Sequence, residues 1–136
     1  MSCCELKAYT FSDINFTNRL DPNVQIKIGN KFSYNVKYPS DNSNNICRGE
    51  LEVEVGDTSK DSKLNLKVTL VGILAYNPDE KRELIHTESF KILYPLARAM
   101  VTTITANAGI KPIMLPNINI DDQDIYRIDG SNPGNV

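Results

Sequence analysis

Apolar and polar residues alternate along three stretches in the first half of the chain. The apolar positions are Phe32, Tyr34, Val36 and Tyr38, then Leu51, Val53 and Val55, and then Leu64, Leu66, Val68 and Leu70. A period of two places these side chains on one face of a β-strand. Residues 6–16 are also rich in aromatic and β-branched residues, with a bend or bulge expected near 12–13. The pattern predicts four strands in a mainly antiparallel sheet with one polar face.

The period changes at Leu93, after which apolar residues recur at helical spacing up to Ala108. Pro95 suits a first helical turn, where its missing N–H costs nothing. Gly109 suits a left-handed helix end, and Pro112 prevents continuation. We therefore expect a helix from Tyr94 to Ala108 over the apolar face of the sheet. The predicted fold class is α+β, a four-stranded sheet covered by one long helix.

The stretch after the expected helix is apolar but is interrupted by prolines, so it must pack on the chain's own core or on a partner. From Asp121 onward the chain is acidic, and its end is rich in Gly and Asn. At 136 residues we expect a single domain. Its core should span about residues 5–128, followed by a mobile polar tail at 129–136.

Charge and composition argue against several classes of protein. A net charge of −2 offers no basic surface to nucleic acid. We find no apolar run of signal-peptide or membrane-span length, so we expect a cytoplasmic protein that does not insert into membranes. Cys3, Cys4, Cys47 and the lone His86 are too few for a disulfide framework or a metal site. We expect no metal and no other cofactor.

Candidate catalytic groups are sparse. His86 has no serine or cysteine nearby in sequence that would form a triad. The acidic groups at residues 50–54 and 121–122 are better explained as solvated surface than as a general acid and base. The isolated glycines do not form a phosphate-binding loop. We therefore expect a binding protein and not an enzyme.

A series of motifs around the helix is more specific. It comprises Ile92-Leu93-Tyr94-Pro95-Leu96-Ala97-Arg98, then Gly109, Pro112, Leu115-Pro116 and Ile118-Asn119-Ile120-Asp121. This order resembles the most recognisable stretch of the protein-export chaperone SecB family. Residues 9–16 look like that family's first strand, and the likeness covers roughly residues 5–128.

The resemblance implies an ATP-independent chaperone, or holdase, that binds non-native polypeptides in apolar grooves and assembles as a homotetramer, a dimer of dimers. We interpret most motif residues as structural. Pro95 and Gly109 would start and stop the helix, and Arg98 would pair with a carboxylate. The structural set is Tyr94, Pro95, Ala97, Arg98, Gly109, Pro112, Leu115, Pro116, Asn119 and Asp121. The expected client-binding set is Phe90, Ile92, Ile110, Met114, Ile118 and Ile120.

The chain departs from the family at its partner-facing positions. Export chaperones of this family present acidic residues on the exposed sheet face to the translocation ATPase SecA. Asp13 matches one of them, whereas Thr17 and Lys67 occupy positions that are acidic there. The connection from Asn77 to Lys91 is also shorter, and the family's second helix after Asp121 is reduced or missing. These differences weaken the case for SecA as a partner and leave an antitoxin as another possible client.

Two other classes of function stay open from the sequence. A scaffold domain would use the same sheet and helix to bind one folded partner. A small-molecule enzyme on a sheet-and-helix fold, such as a thioesterase-like protein, is the weakest alternative because the sequence offers no residue positioned as a catalytic general base. Protection of unrelated unfolded proteins distinguishes the chaperone from the scaffold.

Overall fold

The computed structural model describes residues 3–21, 27–40, 44–58 and 62–118. These residues form β1 (Cys4–Asn18), β2 (Ile28–Lys37), β3 (Ile46–Asp57), β4 (Leu64–Tyr76) and α1 (Arg82–Asn107). The strands make one sheet of four in the order β1-β4-β3-β2, and every pairing is antiparallel. The α+β fold expected from the sequence is confirmed. The expected tail at 129–136 lies outside the described residues.

The alternation in sequence matches the two faces of the sheet. Leu51, Val53 and Val55 are at most 2% exposed and face the helix, while the glutamates between them lie on the opposite, outer face. The register joins Val53 to Val68 in the middle of the sheet. The bulge expected near residues 12–13 is confirmed, since the β1–β4 register shifts between Phe11 and Asp13, and a second shift lies between Leu6 and Ala8.

The predicted start of the helix was wrong. Helix α1 begins at Arg82, twelve residues before the expected start, and Pro95 lies inside it. A proline in a helix interior costs about 3 kcal/mol, because a hydrogen bond is lost and the ring crowds the preceding turn. Ile85, Phe90 and Leu93 are each at most 1% exposed, so burial extends along the earlier turns and offsets that cost. Pro95 itself is exposed.

The helix ends as the sequence predicts. Gly109 has a φ of +85°, in the left-handed region that favours glycine. The backbone N–H of Gly109 donates to the carbonyl of Ala106, and that of Ala108 to the carbonyl of Ile104. The chain then reverses and continues as an extended segment through residue 118.

Candidate functional site

The segment from Lys111 to Ile118 runs back along one flank of α1. Both backbone groups of Ile113 are held by threonines of the helix. Its N–H donates to Thr105 Oγ1 at 2.8 Å, and its carbonyl accepts from Thr102 Oγ1 at 2.9 Å. Further along, Tyr94 Oη donates to the carbonyl of Pro116 at 2.8 Å. These bonds fix the segment antiparallel to the helix.

The sequence analysis missed the two threonines. Thr105 is fully buried and its hydroxyl also donates to the carbonyl of Val101 at 2.8 Å. Threonines inside a helix commonly bond to the preceding turn in this way. The signal available in the sequence was the spacing of Thr102 and Thr105, three positions apart, on the flank of the helix that also carries Tyr94 and Arg98.

The family-motif residues mostly hold this segment in place. Ala97 is fully buried, and Leu115 is 3% exposed and belongs to the core. Arg98 donates to Asn117 Oδ1 at 2.6 Å, and no carboxylate of the described residues forms the ion pair that the sequence analysis expected. Pro112 and Pro116 lie exposed in the segment. Asn119 and Asp121 lie outside the described residues.

Tyr94 connects the segment to the sheet. Its ring stacks on Phe90 with the centroids 5.1 Å apart, and it lies 6.3 Å from the ring of Phe32 in β2. Burial raises the pKa of the Tyr94 hydroxyl, while the nearby Arg98 partly counteracts this. The hydroxyl therefore stays protonated near neutral pH and remains a hydrogen-bond donor to Pro116.

Met114 is the most exposed apolar side chain in this region, at 74%. Its neighbours Ile113 and Leu115 turn inward onto the core, as expected of alternate residues in an extended chain. Ile118, at the end of the segment, is half-buried and packs against the core, and Ile110, just before the segment, is also half-buried. We call Ile110, Met114 and Ile118, together with the cations Arg98 and Lys111, the Met114 surface.

The structure separates Phe90 and Ile92, two further residues of the expected client-binding set, from this surface. Phe90 is 1% exposed and packs against Phe32 and Tyr34, so its side chain belongs to the core and offers no surface to a client. Ile92 lies two positions before Tyr94, about 200° around the helix, and so belongs to the opposite flank. Ile120 lies outside the described residues.

The opposite flank of α1 carries a second apolar surface. Ile92, Leu96 and Met100 recur every four residues there and are only partly buried. Because the Tyr94 flank faces β2, this flank faces β1, the other edge of the sheet. On the helix-facing side of β1, Tyr9 is 51% exposed and Ile14 is 46% exposed.

The three partner-facing residues share the outer face of the sheet. Asp13 pairs with Thr69, Lys67 with Asn15, and Thr17 with Asn65 across β1 and β4. Lys67 Nζ lies 3.5 Å from Glu52 Oε2, and Glu54 meets Lys31 at 3.4 Å. The face is thus mixed in charge and cross-linked by ion pairs.

Potential catalytic groups are packed away from both apolar surfaces. His86 is 5% exposed and its ring lies 5.0 Å from that of Tyr34, and burial lowers its pKa. The thiols of Cys3, Cys4 and Cys47 are buried, and burial raises the pKa of Cys4 to about 12 and of Cys47 to about 11. Within the described residues, we find no group of three or more side chains placed to hold a metal ion. Among the described residues, no helix combines the length and the hydropathy of a membrane span.

Comparison with known proteins identifies the fold. No family model matches the chain. Over 42 residues the chain is 48% identical to the uncharacterized protein MJ0357 of Methanocaldococcus jannaschii, a match that covers 31% of this chain and 27% of that protein. The solved structure of the SecB-like chaperone Rv1957 of Mycobacterium tuberculosis has a TM-score of 0.70 at 11% identity, over 85% of this chain and 90% of that chain. The chain has the SecB-like fold.

The Rv1957 structure is a complex with a ChAD peptide from the antitoxin HigA1 (Rv1956). A protein of unknown function from Streptococcus agalactiae matches with a TM-score of 0.48 at 9% identity. At 11% identity the likeness to Rv1957 establishes the fold of this chain, and the family resemblance found in its sequence agrees with that fold.

Proposed function

We propose that this chain is a SecB-like holdase that binds non-native polypeptide segments without nucleotide. The observation that carries the proposal is the Met114 surface on a SecB-like fold. An apolar side chain that is 74% exposed sits on a backbone segment held by four hydrogen bonds to α1. A rigid support with a compliant methionine suits clients of varied sequence.

The complex of Rv1957 with an antitoxin peptide supports a polypeptide segment as the client of this chain. We propose that this chain likewise takes up exposed segments of unfolded proteins, among them an aggregation-prone antitoxin. An export role through SecA is less well supported, because the outer face carries Lys67 in an ion pair with Glu52.

We also propose that the chain assembles as a homotetramer in the cytoplasm. Leu115 lies in the chain's own core and Ile113 packs against it, so neither is a candidate for the interface between chains. The partly buried Ile92, Leu96 and Met100 of α1 and the exposed Tyr9 and Ile14 of β1 supply apolar side chains for self-association. Light scattering on purified protein should give about four chains per particle, and a monomer at micromolar concentration would contradict this assembly.

Aggregation of a slowly refolding client tests the proposed function. The purified protein should suppress light scattering by the client in proportion to its own concentration, with or without ATP. Protection of several unrelated clients supports a holdase. Failure to protect any client, together with tight binding of a single folded protein, would replace the proposal with the scaffold function.

A further inference from the structure

One side of the segment from Lys111 to Ile118 presents a methionine between two prolines. Pro112, Met114 and Pro116 occupy alternate positions and are all exposed, whereas the residues between them turn inward. Alternate residues of an extended chain share one face. A client that contacts Met114 therefore lies beside the proline rings that flank it.

One backbone edge of this segment is already bound to α1. In an extended chain the N–H and the C=O of one residue point to the same edge, and those of the next residue point to the opposite edge. The N–H of Ile113 donates to Thr105 Oγ1, and its carbonyl accepts from Thr102 Oγ1. The edge that carries Ile113 therefore faces the helix and is closed to a client.

The opposite edge lacks the donors that strand addition needs. It carries the backbone groups of Pro112, Met114 and Pro116, and proline has no backbone N–H. The Pro116 carbonyl also accepts a hydrogen bond from Tyr94 Oη at 2.8 Å. An added antiparallel strand exchanges N–H and C=O bonds with every second residue of an edge, and prolines interrupt such a row. A client backbone therefore meets no continuous row of partners at this edge.

We propose that the Met114 surface binds clients through their apolar side chains, without pairing to the client backbone, so that the client chain can run in either direction. This inference rests on the proposed holdase function and adds the mode of recognition. Strand addition fixes the direction and register of a bound peptide through main-chain hydrogen bonds. A flexible methionine between proline rings imposes neither, so the surface accepts any unfolded segment that exposes an apolar side chain.

Three labelled peptides test the inference. The first is a parent peptide with apolar residues at its centre, and the second is the same sequence reversed, which keeps the composition and the spacing of the apolar residues. The third is the parent with N-methyl groups on alternate central amides, which removes backbone donors. Fluorescence anisotropy measures their binding to the full-length protein. The three dissociation constants should agree within about twofold, whereas a client bound as an added strand would lose about tenfold in affinity when its donors are removed.

Substitution of Met114 assigns the binding to this surface. Met114→Asp should weaken the binding of all three peptides by the same factor, and the matched change Leu84→Asp, at a 40% exposed leucine in the first turn of α1, should weaken none of them. A tenfold loss for the reversed or the methylated peptide alone, or unequal effects of Met114→Asp on the three, overturns the inference while leaving the holdase function standing. Failure of all three to bind contradicts the holdase function itself.

Discussion

Leu93 packs directly over Gly72 at the centre of the sheet. A β-carbon added to Gly72 would lie 2.7 Å from Leu93 Cδ2, and Gly49, the partner of Gly72 across β3 and β4, would meet Leu93 Cδ1 at 2.9 Å. The paired glycines thus form a recess in the sheet that admits the fully buried leucine.

Gly72→Ala should therefore destabilise the protein by about 1–3 kcal/mol, because the core would be overpacked. In a Leu93→Ala background the recess is empty, and the same change should be neutral or stabilising, since alanine loses less conformational entropy than glycine. Urea unfolding followed by circular dichroism, at one protein concentration, gives the change in the free energy of unfolding caused by Gly72→Ala in each of the two backgrounds. An equal cost of Gly72→Ala in both backgrounds would show that Leu93 does not set the need for glycine.

The threonine contacts predict a second effect on stability. Thr105→Val keeps the side-chain shape but removes the acceptor for the Ile113 N–H, so it should cost about 1–3 kcal/mol. It should also speed hydrogen exchange of the Ile113 amide. Thr103→Val is a matched control on the exposed face of α1 and should change stability by less than about 0.5 kcal/mol. Equal effects of the two variants would contradict the role of Thr105.

His86 predicts a loss of stability at mildly acidic pH. Burial lowers its pKa below the ordinary value of 6.5, so the unfolded chain binds the proton first as the pH falls. Stability should fall from pH 6.5 down to the folded pKa, by at most about 1.4 kcal/mol per pH unit. The pKa values of the Glu50 and Glu54 carboxylates are lowered in the folded protein. Their contribution to stability is therefore lost only as the pH falls below about 4.5, outside the range in which His86 titrates.

The chain has one histidine, so its imidazole proton signal is unambiguous in an NMR titration. The folded protein should show a midpoint below 6.5, and urea unfolding of a His86→Leu variant should lack the stability loss between pH 6.5 and 5.5. A folded-state midpoint at or above 6.5 would contradict burial of the neutral ring.

The outer face predicts weak binding of SecA. Thr17→Glu combined with Lys67→Glu would make this face more acidic and should tighten SecA binding about tenfold. Each exposed charge pair with SecA contributes under about 1 kcal/mol, and two such pairs together account for that factor. Thr103→Glu with Lys81→Glu makes the same two changes on or beside the helix and should have no such effect. Titrating SecA against the unmodified protein and against each double variant measures the two changes in affinity. Tight binding to the unmodified protein, unchanged by the sheet substitutions, would restore an export role.

The sequence predicted the two central strands well because burial in β3 and in the first half of β4 follows a period of two. Leu51, Val53 and Val55 face the helix as expected. It failed at the start of α1, because Pro95 suits a first turn and the earlier turns bury His86 and Ser89, which are polar. Ser89 is accommodated through a hydrogen bond with the Tyr34 hydroxyl, a partner from a strand 55 positions away in sequence.

The candidate surface was predicted only in part. Met114 and Ile118 lie in the apolar, proline-interrupted segment that the sequence singles out, and their contact with a client stays a prediction. Phe90 was assigned to the surface because its turn was not recognised as helical, whereas the helix directs it into the core. The contacts of Arg98 and Thr105 depend on where the chain reverses after Gly109, which local sequence does not specify.

Binding of a permanently unfolded polypeptide tests the central claim most directly. Met114→Asp places a charge on an exposed side chain and should weaken binding of a reduced, alkylated client at least tenfold, because the charge must be desolvated against apolar client groups. Leu84→Asp, a matched change at a 40% exposed leucine in the first turn of α1, should bind like the unmodified protein. Unchanged affinity of the Met114 variant, or an equal loss in both, would contradict the account.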